Sequence, residues 1–289
     1  METHIKIETV RTGRLAMDYF RFGHGKESLV ILPGLSVQSV MGAADAVADA
    51  YSLLTDDFTI YLFDRRRDLP AVYSLKEMAR DTAEAIRALG LGPVCLFGTS
   101  QGGMAALCLA VEYPELVRRL VLGSASARIT DRENVLFEEW IRLAKAGDAQ
   151  GLYLSFGEAV YPPAVFEQSR QLLIDAAKTV TEEELRRFVI LAKTVIGFDV
   201  IDEVERIACP VLVIGSRDDR VLGGDASIQI AARLRGESAE LFLYDSYGHA
   251  AYDTAPDYKE RLLRFLVSQS SEKTICRSTA GCKRKSKHL

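Results

Sequence analysis

The sequence lacks the features that mark membrane-spanning and secreted proteins. Its longest apolar runs have the length of short strands, well below the roughly 18 residues of a helix that crosses a bilayer. Residues 1–4 also lack the basic start and the apolar stretch of a signal peptide. We therefore expect a cytoplasmic protein without a membrane span.

Cysteine and histidine are scarce in this chain. Five cysteines occur in 289 residues, and none is at the spacing of metal ligands: positions 95, 108, 209, 276 and 282. An odd number of dispersed cysteines predicts reduced thiols and no structural metal. Only four histidines are present, so few side chains could act as a general base near neutral pH.

An excess of positive charge is missing from most of the chain. Residues 270–289 contain six Lys and Arg and one Glu, whereas the rest contains 30 Lys and Arg against 39 Asp and Glu. An acidic body argues against nucleic-acid binding. The basic segment, residues 269–289, shows no apolar periodicity, so we expect a disordered tail.

Strand and helix patterns alternate along the chain. Apolar or alternating runs predict strands at residues 5–9, 15–22, 29–32, 59–63, 94–97, 120–122, 210–214 and 239–244. The first two are typical of an antiparallel hairpin at a sheet edge. Helical stripes follow several of the others, at residues 75–89, 104–111, 225–234 and 256–267. This order predicts an α/β protein with a mostly parallel central sheet.

The alternation is interrupted at residues 130–199. Apolar residues at helical spacing include Trp140, and Thr181 with Glu184 forms a capping box before a second helical stripe. We expect this segment to be a helical cap insertion over the strand ends. Residues 1–129 and 200–268 would then form the α/β core.

A glycine-flanked serine lies between a buried strand and a helix of small residues. Residues 98–102 read G-T-S-Q-G. A serine on so tight a turn takes strained backbone angles, and side chains at Gly98 and Gly102 would collide with the neighbouring strand and helix. Ser100 would then stand at the strand end, beside the unpaired N–H groups of the helix. The pattern predicts Ser100 as a nucleophile.

A serine nucleophile needs a base and a carboxylate that holds the base. His249 lies in the loop after the last strand, where it could reach the same rim of the sheet. The preceding strand ends before Asp218 and Asp219, and either could be the carboxylate. The order serine, aspartate, histidine is that of the α/β-hydrolases.

Two further loops lie at strand ends. The turn at residues 33–36 contains glycine, and a backbone amide there could face a ligand or only close the turn. The charge run at residues 64–68 is more typical of a solvated loop with local ion pairs than of an anion site.

On these motifs the sequence resembles the α/β-hydrolase family over residues 5–268. The resemblance implies a mostly parallel sheet flanked by helices, with an inserted helical cap. Two segments depart from the family pattern. Pro33 stands where many members have histidine, and the segment after residue 64 matches the family's D-x-R-G-x-G-x-S motif only at its beginning.

The resemblance also implies residue roles. The implied nucleophile, base, acid and two backbone oxyanion donors are Ser100, His249, Asp218 or Asp219, and the N–H groups of Leu35 and Gln101. The residues that follow the acid in family members favour Asp219. Its neighbour Asp218 would then be a solvated turn residue.

The implied activity is that of a carboxylesterase-like serine hydrolase. It would cleave an ester-type bond of a small or medium acyl substrate through an acyl-enzyme, without a metal or organic cofactor. Serine at position 100 argues against the dehalogenase and epoxide-hydrolase chemistries, which need a carboxylate there. Thioesters, lactones and carbon–carbon bonds are alternative substrates. A ligand-binding receptor or vestigial member of the same fold is an alternative function.

Overall fold

The computed structural model describes residues 4–235 and 239–268. Eight strands form one sheet: β1 (Ile7–Arg11), β2 (Ala16–Phe22), β3 (Glu27–Leu32), β4 (Phe58–Arg66), β5 (Val94–Thr99), β6 (Val117–Gly123), β7 (Val211–Ser216) and β8 (Ala239–Tyr244). Each lies at or near a predicted strand. The predicted disordered tail, residues 269–289, lies outside the described residues.

The strand order across the sheet is β1-β2-β4-β3-β5-β6-β7-β8. β1 and β2 form an antiparallel hairpin at one edge, and β2 pairs antiparallel with β4. All pairs from β4 to β8 are parallel. The predicted edge hairpin and the mostly parallel sheet are therefore confirmed. The carboxyl ends of β3, β5, β6, β7 and β8 consequently share one rim of the sheet.

Ten α-helices are described: α1 (Ala44–Ala50), α2 (Leu75–Ala88), α3 (Gln101–Glu112), α4 (Asp131–Lys145), α5 (Ala149–Val160), α6 (Pro163–Ala177), α7 (Glu182–Lys193), α8 (Ala226–Arg233), α9 (Ala251–Thr254) and α10 (Tyr258–Val267). Helix α1 was not predicted, because its apolar residues are nearly all alanine and show no clear stripe. No helix in the described parts of the chain is long and apolar enough to cross a bilayer.

The sheet has a hydrophobic core on each face. Side chains of α2, α3 and α8 pack in one core, and side chains of α1, α9 and α10 pack in the other. All six residues of β5 are buried, as expected of a central parallel strand covered on both faces.

Helices α4 to α7 are inserted between β6 and β7. Antiparallel pairing of Arg128 with Asp199 closes the base of this insertion, near the predicted limits at residues 130 and 199. Trp140 and Phe188, both buried, belong to the same apolar core as α2 and α3. The insertion therefore shares its hydrophobic core with the sheet.

The predicted need for glycine around Ser100 is confirmed by the backbone packing. A Cβ atom on Gly98 would lie 2.5 Å from the carbonyl oxygen of Gly102. A Cβ atom on Gly102 would overlap the carbonyl oxygens of Leu32 and Pro33. These neighbours are backbone atoms, which cannot rotate away as a side chain can.

We predict that Gly98→Ala lowers the free energy of unfolding by about 1–3 kcal/mol, because the added methyl group overpacks the turn. Gly92→Ala is the matched control, since a Cβ there meets no atom within 4 Å. Its effect should stay within about 0.5 kcal/mol. Chemical denaturation of both variants measures the difference, and equal stabilities would contradict the packing argument.

Candidate active site

Ser100 occupies the turn between β5 and α3 in a strained conformation. Its φ and ψ angles are 50° and −123°, a combination that costs a residue with a side chain about 1–3 kcal/mol. The Ser100 N–H donates to the Gly123 carbonyl at 2.9 Å, and the Ser100 carbonyl accepts from the Met104 N–H at 3.0 Å. These bonds, from β6 and from the first turn of α3, hold the strained residue in place.

His249 and Asp219 lie beside Ser100 in one hydrogen-bonded chain. His249 Nε2 is 2.8 Å from Ser100 Oγ, and His249 Nδ1 is 2.8 Å from Asp219 Oδ2. All three residues are buried, with His249 only 2% exposed. Residues 100, 219 and 249 meet because β5, β7 and β8 all end at the same rim.

The hydrogen-bond partners determine where the imidazole proton sits. An ionised carboxylate only accepts hydrogen bonds, so His249 Nδ1 carries the proton and its N–H group donates a hydrogen bond to Asp219. His249 Nε2 is then an acceptor and faces the Ser100 hydroxyl. This is the arrangement in which histidine can remove the serine proton.

Asp219 is oriented by the chain that follows it. Its Oδ1 atom accepts hydrogen bonds from the N–H groups of Val221 and Leu222, at 2.8 and 3.0 Å. Its Oδ2 atom is left for His249. Of the two candidate carboxylates, the structure therefore brings Asp219, the favoured one, against the histidine.

The side chain of Asp218 holds the loop that carries His249, a role that was not predicted. Its carboxylate accepts from the Ser216 hydroxyl at 2.6 Å and from the N–H groups of Ser246 and Gly248 at 3.2 and 3.1 Å. Ser246 and Gly248 have positive φ angles of 79° and 63°. Asp218 is exposed and lies in a turn, as predicted, but its side chain also anchors two residues of a strained loop.

The two expected oxyanion donors, the N–H groups of Leu35 and Gln101, come from two different loops next to Ser100. Gln101 is the first residue of α3, where helix N–H groups have no intrahelical partner and the helix dipole is positive. Leu35 follows Gly34, whose backbone faces the serine: a Cβ atom on Gly34 would lie 3.3 Å from Ser100 Cβ. The loop after β3 thus packs directly against the serine.

The charge run at residues 64–68 differs from its prediction. β4 continues to Arg66, and Arg65 is buried with 5% of its surface exposed. Arg66 and Arg67 form ion pairs with Asp81 and Asp18, which are distant in the chain, and not the predicted local pairs. The expectation of a solvated loop is wrong for Arg65. Side chains two residues apart in a strand point to the same face of the sheet, so Arg65 could have been predicted to lie on the same buried face as Phe63.

The Arg65 guanidinium lies under the loop after β3. Its Nη2 atom donates to the carbonyl oxygens of Pro33 at 2.6 Å and Gly34 at 3.2 Å, and to Gln101 Oε1 at 3.1 Å. Burial lowers the pKa of the guanidinium, although arginine stays charged at neutral pH.

The helical insertion contacts the loops that carry the three site residues. The Ala250 N–H donates to the Val160 carbonyl at 3.2 Å, and Arg220 Nη2 donates to the Tyr161 carbonyl at 2.7 Å. Gln101 Nε2 donates to the Leu191 carbonyl at 2.8 Å. Most acceptors here are backbone carbonyls, which carry no signature in the sequence.

Cysteine offers no competing nucleophile in the described parts of the chain. Cys95, Cys108 and Cys209 are free thiols, as predicted. Burial raises their pKa values to about 11, 12 and 11, so little thiolate exists at neutral pH. Cys276 and Cys282 lie outside the described residues.

Comparison with known proteins gives matches over most of the chain. A sequence profile described as the "Alpha/beta hydrolase family" matches residues 24–258. The putative carbamate hydrolase RutD of Pseudomonas syringae pv. syringae is 30% identical over 251 residues, which cover 82% of this chain and 94% of that protein. The protein of the same name in Agrobacterium fabrum is 28% identical over 249 residues, covering 81% and 93%.

Solved structures share the architecture at lower sequence identity. MGS-M2, an α/β hydrolase from a Medee basin deep-sea metagenome library, has a TM-score of 0.81 at 21% identity, over 93% of this chain and 100% of that one. The enol-lactonase of Burkholderia xenovorans has a TM-score of 0.78 at 15% identity, over 90% and 100%. At these identities the likeness extends to the fold alone.

We predict that Asp218→Ala slows the reaction of Ser100 with a fluorophosphonate by about 10- to 100-fold, because a displacement of about 1 Å in a reacting group can cost that much. Asp218→Asn keeps an acceptor oxygen and should stay within about tenfold of the native rate. The rates are measured by quenching the labelling reaction at timed intervals and determining the labelled fraction by mass spectrometry.

Asp245→Ala is the control for Asp218→Ala. Asp245 lies on the same loop, is exposed and pairs only with Arg217 among the contacts described, so its loss should leave the rate unchanged. A native labelling rate in Asp218→Ala would contradict the anchoring role of Asp218.

Proposed function

The chain belongs to the α/β-hydrolase family, and from that premise we propose that it is a serine hydrolase that cleaves an ester-type bond of a small or medium acyl substrate. The observation that carries the proposal is the buried contact chain from Ser100 through His249 to Asp219, with both hydrogen bonds at 2.8 Å. The hydrolase class is also supported by the named activity of the relatives.

In the first half of the reaction, Ser100 Oγ attacks the acyl carbonyl while His249 Nε2 accepts the hydroxyl proton. The carbonyl oxygen becomes an oxyanion, and the N–H groups of Leu35 and Gln101 donate hydrogen bonds to it. The imidazolium then passes its proton to the leaving group as the carbon–oxygen bond of the ester breaks. The product is an acyl group on Ser100.

In the second half, water replaces the leaving group. His249 removes a proton from water, the resulting hydroxide attacks the acyl carbonyl, and the proton returns to Ser100 as the acid departs. Asp219 stabilises the imidazolium in both halves and keeps the Nδ1 proton in place. No step needs a metal or an organic cofactor.

We assign residues 130–199 the role of a cap over the acyl site. Ser100 is only 8% exposed, and backbone carbonyls of the insertion accept hydrogen bonds from residues next to the nucleophile, the acid and the base. Exclusion of water strengthens the electrostatic interactions inside such a site. The cap would therefore both select the acyl group and protect the intermediate.

A carbamate is the second candidate substrate class, because relatives at 28% and 30% identity are named putative carbamate hydrolases. The carbamate carbonyl can be attacked by Ser100 in the same way as an ester carbonyl. The two substrates present the same kind of carbonyl to Ser100 and differ only in the acid released on deacylation, so the site geometry suits both. An ester and a carbamate with the same leaving group would show which substrate class the protein prefers.

We predict that the native protein reacts with a fluorophosphonate at Ser100 and hydrolyses p-nitrophenyl esters in a way that depends on acyl chain length. Ser100→Ala should abolish both. Ser124→Ala is the matched control, since Ser124 is another buried serine with a positive φ angle, 46°, at the end of β6. p-Nitrophenyl carbamates tested beside the esters decide the second candidate. Ligand binding without labelling would favour the receptor instead.

We predict that Asp219→Asn lowers kcat for the preferred p-nitrophenyl substrate by about 10³- to 10⁴-fold, because the imidazole loses its counter-charge and its tautomer control. Asp218→Asn, which changes the neighbouring carboxylate in the same way, should lower it less than about tenfold. Steady-state kinetics with a check of folding by circular dichroism measures both. The reverse ranking would assign the acid to Asp218.

A further inference from the structure

We propose that Arg65 is a positioning residue for the oxyanion hole, which sets the direction of the Leu35 N–H group. The inference rests on the proposed function of Ser100 and extends it. Arg65 was no part of the expected site, and its side chain does not contact Ser100 in the described hydrogen bonds. Its action would pass through the backbone of the loop after β3.

The peptide between Gly34 and Leu35 is the point of action. Its carbonyl oxygen, on Gly34, lies 3.2 Å from Arg65 Nη2. Its N–H group, on Leu35, is the expected oxyanion donor. A trans peptide is planar, so its C=O and N–H bonds point in opposite directions, and the described chain has no cis peptide bond. A guanidinium that holds the carbonyl therefore turns the N–H group to the opposite side.

Glycine makes such a restraint necessary. Gly34 has no Cβ atom, so the peptide on its carboxyl side can rotate with little steric resistance. Rotation would exchange the N–H group for a carbonyl oxygen, which would repel a developing oxyanion. Arg65 also holds the preceding carbonyl, that of Pro33, at 2.6 Å. Two consecutive carbonyls of the loop are thus fixed by one nitrogen.

The Arg65 guanidinium directs its hydrogen bonds to the loop after β3 and to Gln101. Among the described ion pairs, the Arg65 side chain has no carboxylate partner; Asp64, its neighbour, accepts from the Ser39 hydroxyl and from the Arg65 backbone N–H, both at 2.6 Å. Burying a charge is costly, and the loop carbonyls together with the attraction of the nearby Asp64 carboxylate offset part of that cost. The charge also polarises the Gly34–Leu35 peptide and so strengthens its N–H group as a donor.

Gln101 extends the contact to the second donor and to the cap. Its side-chain oxygen accepts from Arg65 Nη2 at 3.1 Å, and its side-chain nitrogen donates to the Leu191 carbonyl and the Thr194 hydroxyl at 2.8 and 3.1 Å. The backbone N–H of Gln101 is the other expected oxyanion donor. Arg65 thus links both halves of the oxyanion hole to the end of α7.

The test compares Arg65→Met with Arg66→Met. Arg66 is the matched control because it is the adjacent arginine of β4 and is partly buried. It bonds to Asp81 and to the Arg14 and Asp68 carbonyls but not to the loop after β3. Three quantities are measured: the rate of fluorophosphonate labelling at Ser100, kcat and KM for a p-nitrophenyl ester, and the affinity for an arylboronic acid, which forms a tetrahedral adduct.

We expect Arg65→Met to lower kcat and the labelling rate by about 10²- to 10³-fold, the loss seen when one oxyanion donor is removed. KM should change by less than about threefold, and boronic acid affinity should fall with kcat, because the donor acts on the tetrahedral state. Arg66→Met should keep native values of kcat and KM. If Arg65 only stabilised the fold, Arg65→Met would lower the melting temperature but would not lower kcat while leaving KM unchanged.

Arg65→Lys keeps the experiment decisive if Arg65→Met does not fold. A single nitrogen of Arg65 makes all three contacts. The lysine side chain is shorter, so its ammonium cannot reach the two loop carbonyls and Gln101 from the same backbone position, and kcat should fall by about tenfold. A folded Met or Lys variant with native kcat would overturn the proposal. A native protein that neither labels nor hydrolyses esters or carbamates would instead overturn the proposed function, and the two failures are distinguishable.

Discussion

The close approach of β5 and α3 at Ser100 is the constraint on which the rest of the site depends. The turn places a serine at φ 50° and ψ −123° and leaves no room for a side chain on Gly98. Such strain persists only when its surroundings over-determine it. Here the sheet supplies the restraint through Gly123, and the first turn of α3 supplies it through Met104. A strained residue held in this way presents its hydroxyl and the helix N-terminus in one fixed geometry.

The parallel strands of the sheet bring the other site residues next to Ser100. Parallel neighbours end at the same edge, so the loops after β3, β5, β7 and β8 converge although their residues are far apart in the chain. Ser100 and His249 are separated by 149 residues and yet lie 2.8 Å apart. Each loop also has its own anchor: Val221 and Leu222 orient Asp219, and Asp218 holds the loop of His249. Backbone N–H groups therefore hold both the acid and the loop of the base in the proposed triad.

Two buried polar side chains connect the insertion to the centre of the site. Arg65 reaches the loop after β3, and Gln101 continues the contact to the end of α7. Backbone carbonyls of Val160 and Tyr161 contact the loops of the base and the acid. The insertion shares its core with α2 and α3 as well. In the proposed function, the insertion would contact the acyl group. Hydrogen bonds and a shared core connect the insertion to the residues that would cleave the ester bond.

The sequence by itself determined the features that follow from local rules. Alternating apolar patterns predicted the sheet and its order of strands and helices, and the glycines around Ser100 predicted the tight turn, because both depend on neighbours within a few residues. The tertiary structure alone decided the direction of the side chains beyond the strand ends. Arg65 points inward because β4 continues three residues past its predicted end. Asp218 and Asp219 are adjacent in the turn after β7, yet one bonds to the Gly248 N–H and the other to the His249 imidazole. Contacts of the insertion with the site also required the structure, since their acceptors are backbone carbonyls, which every residue carries.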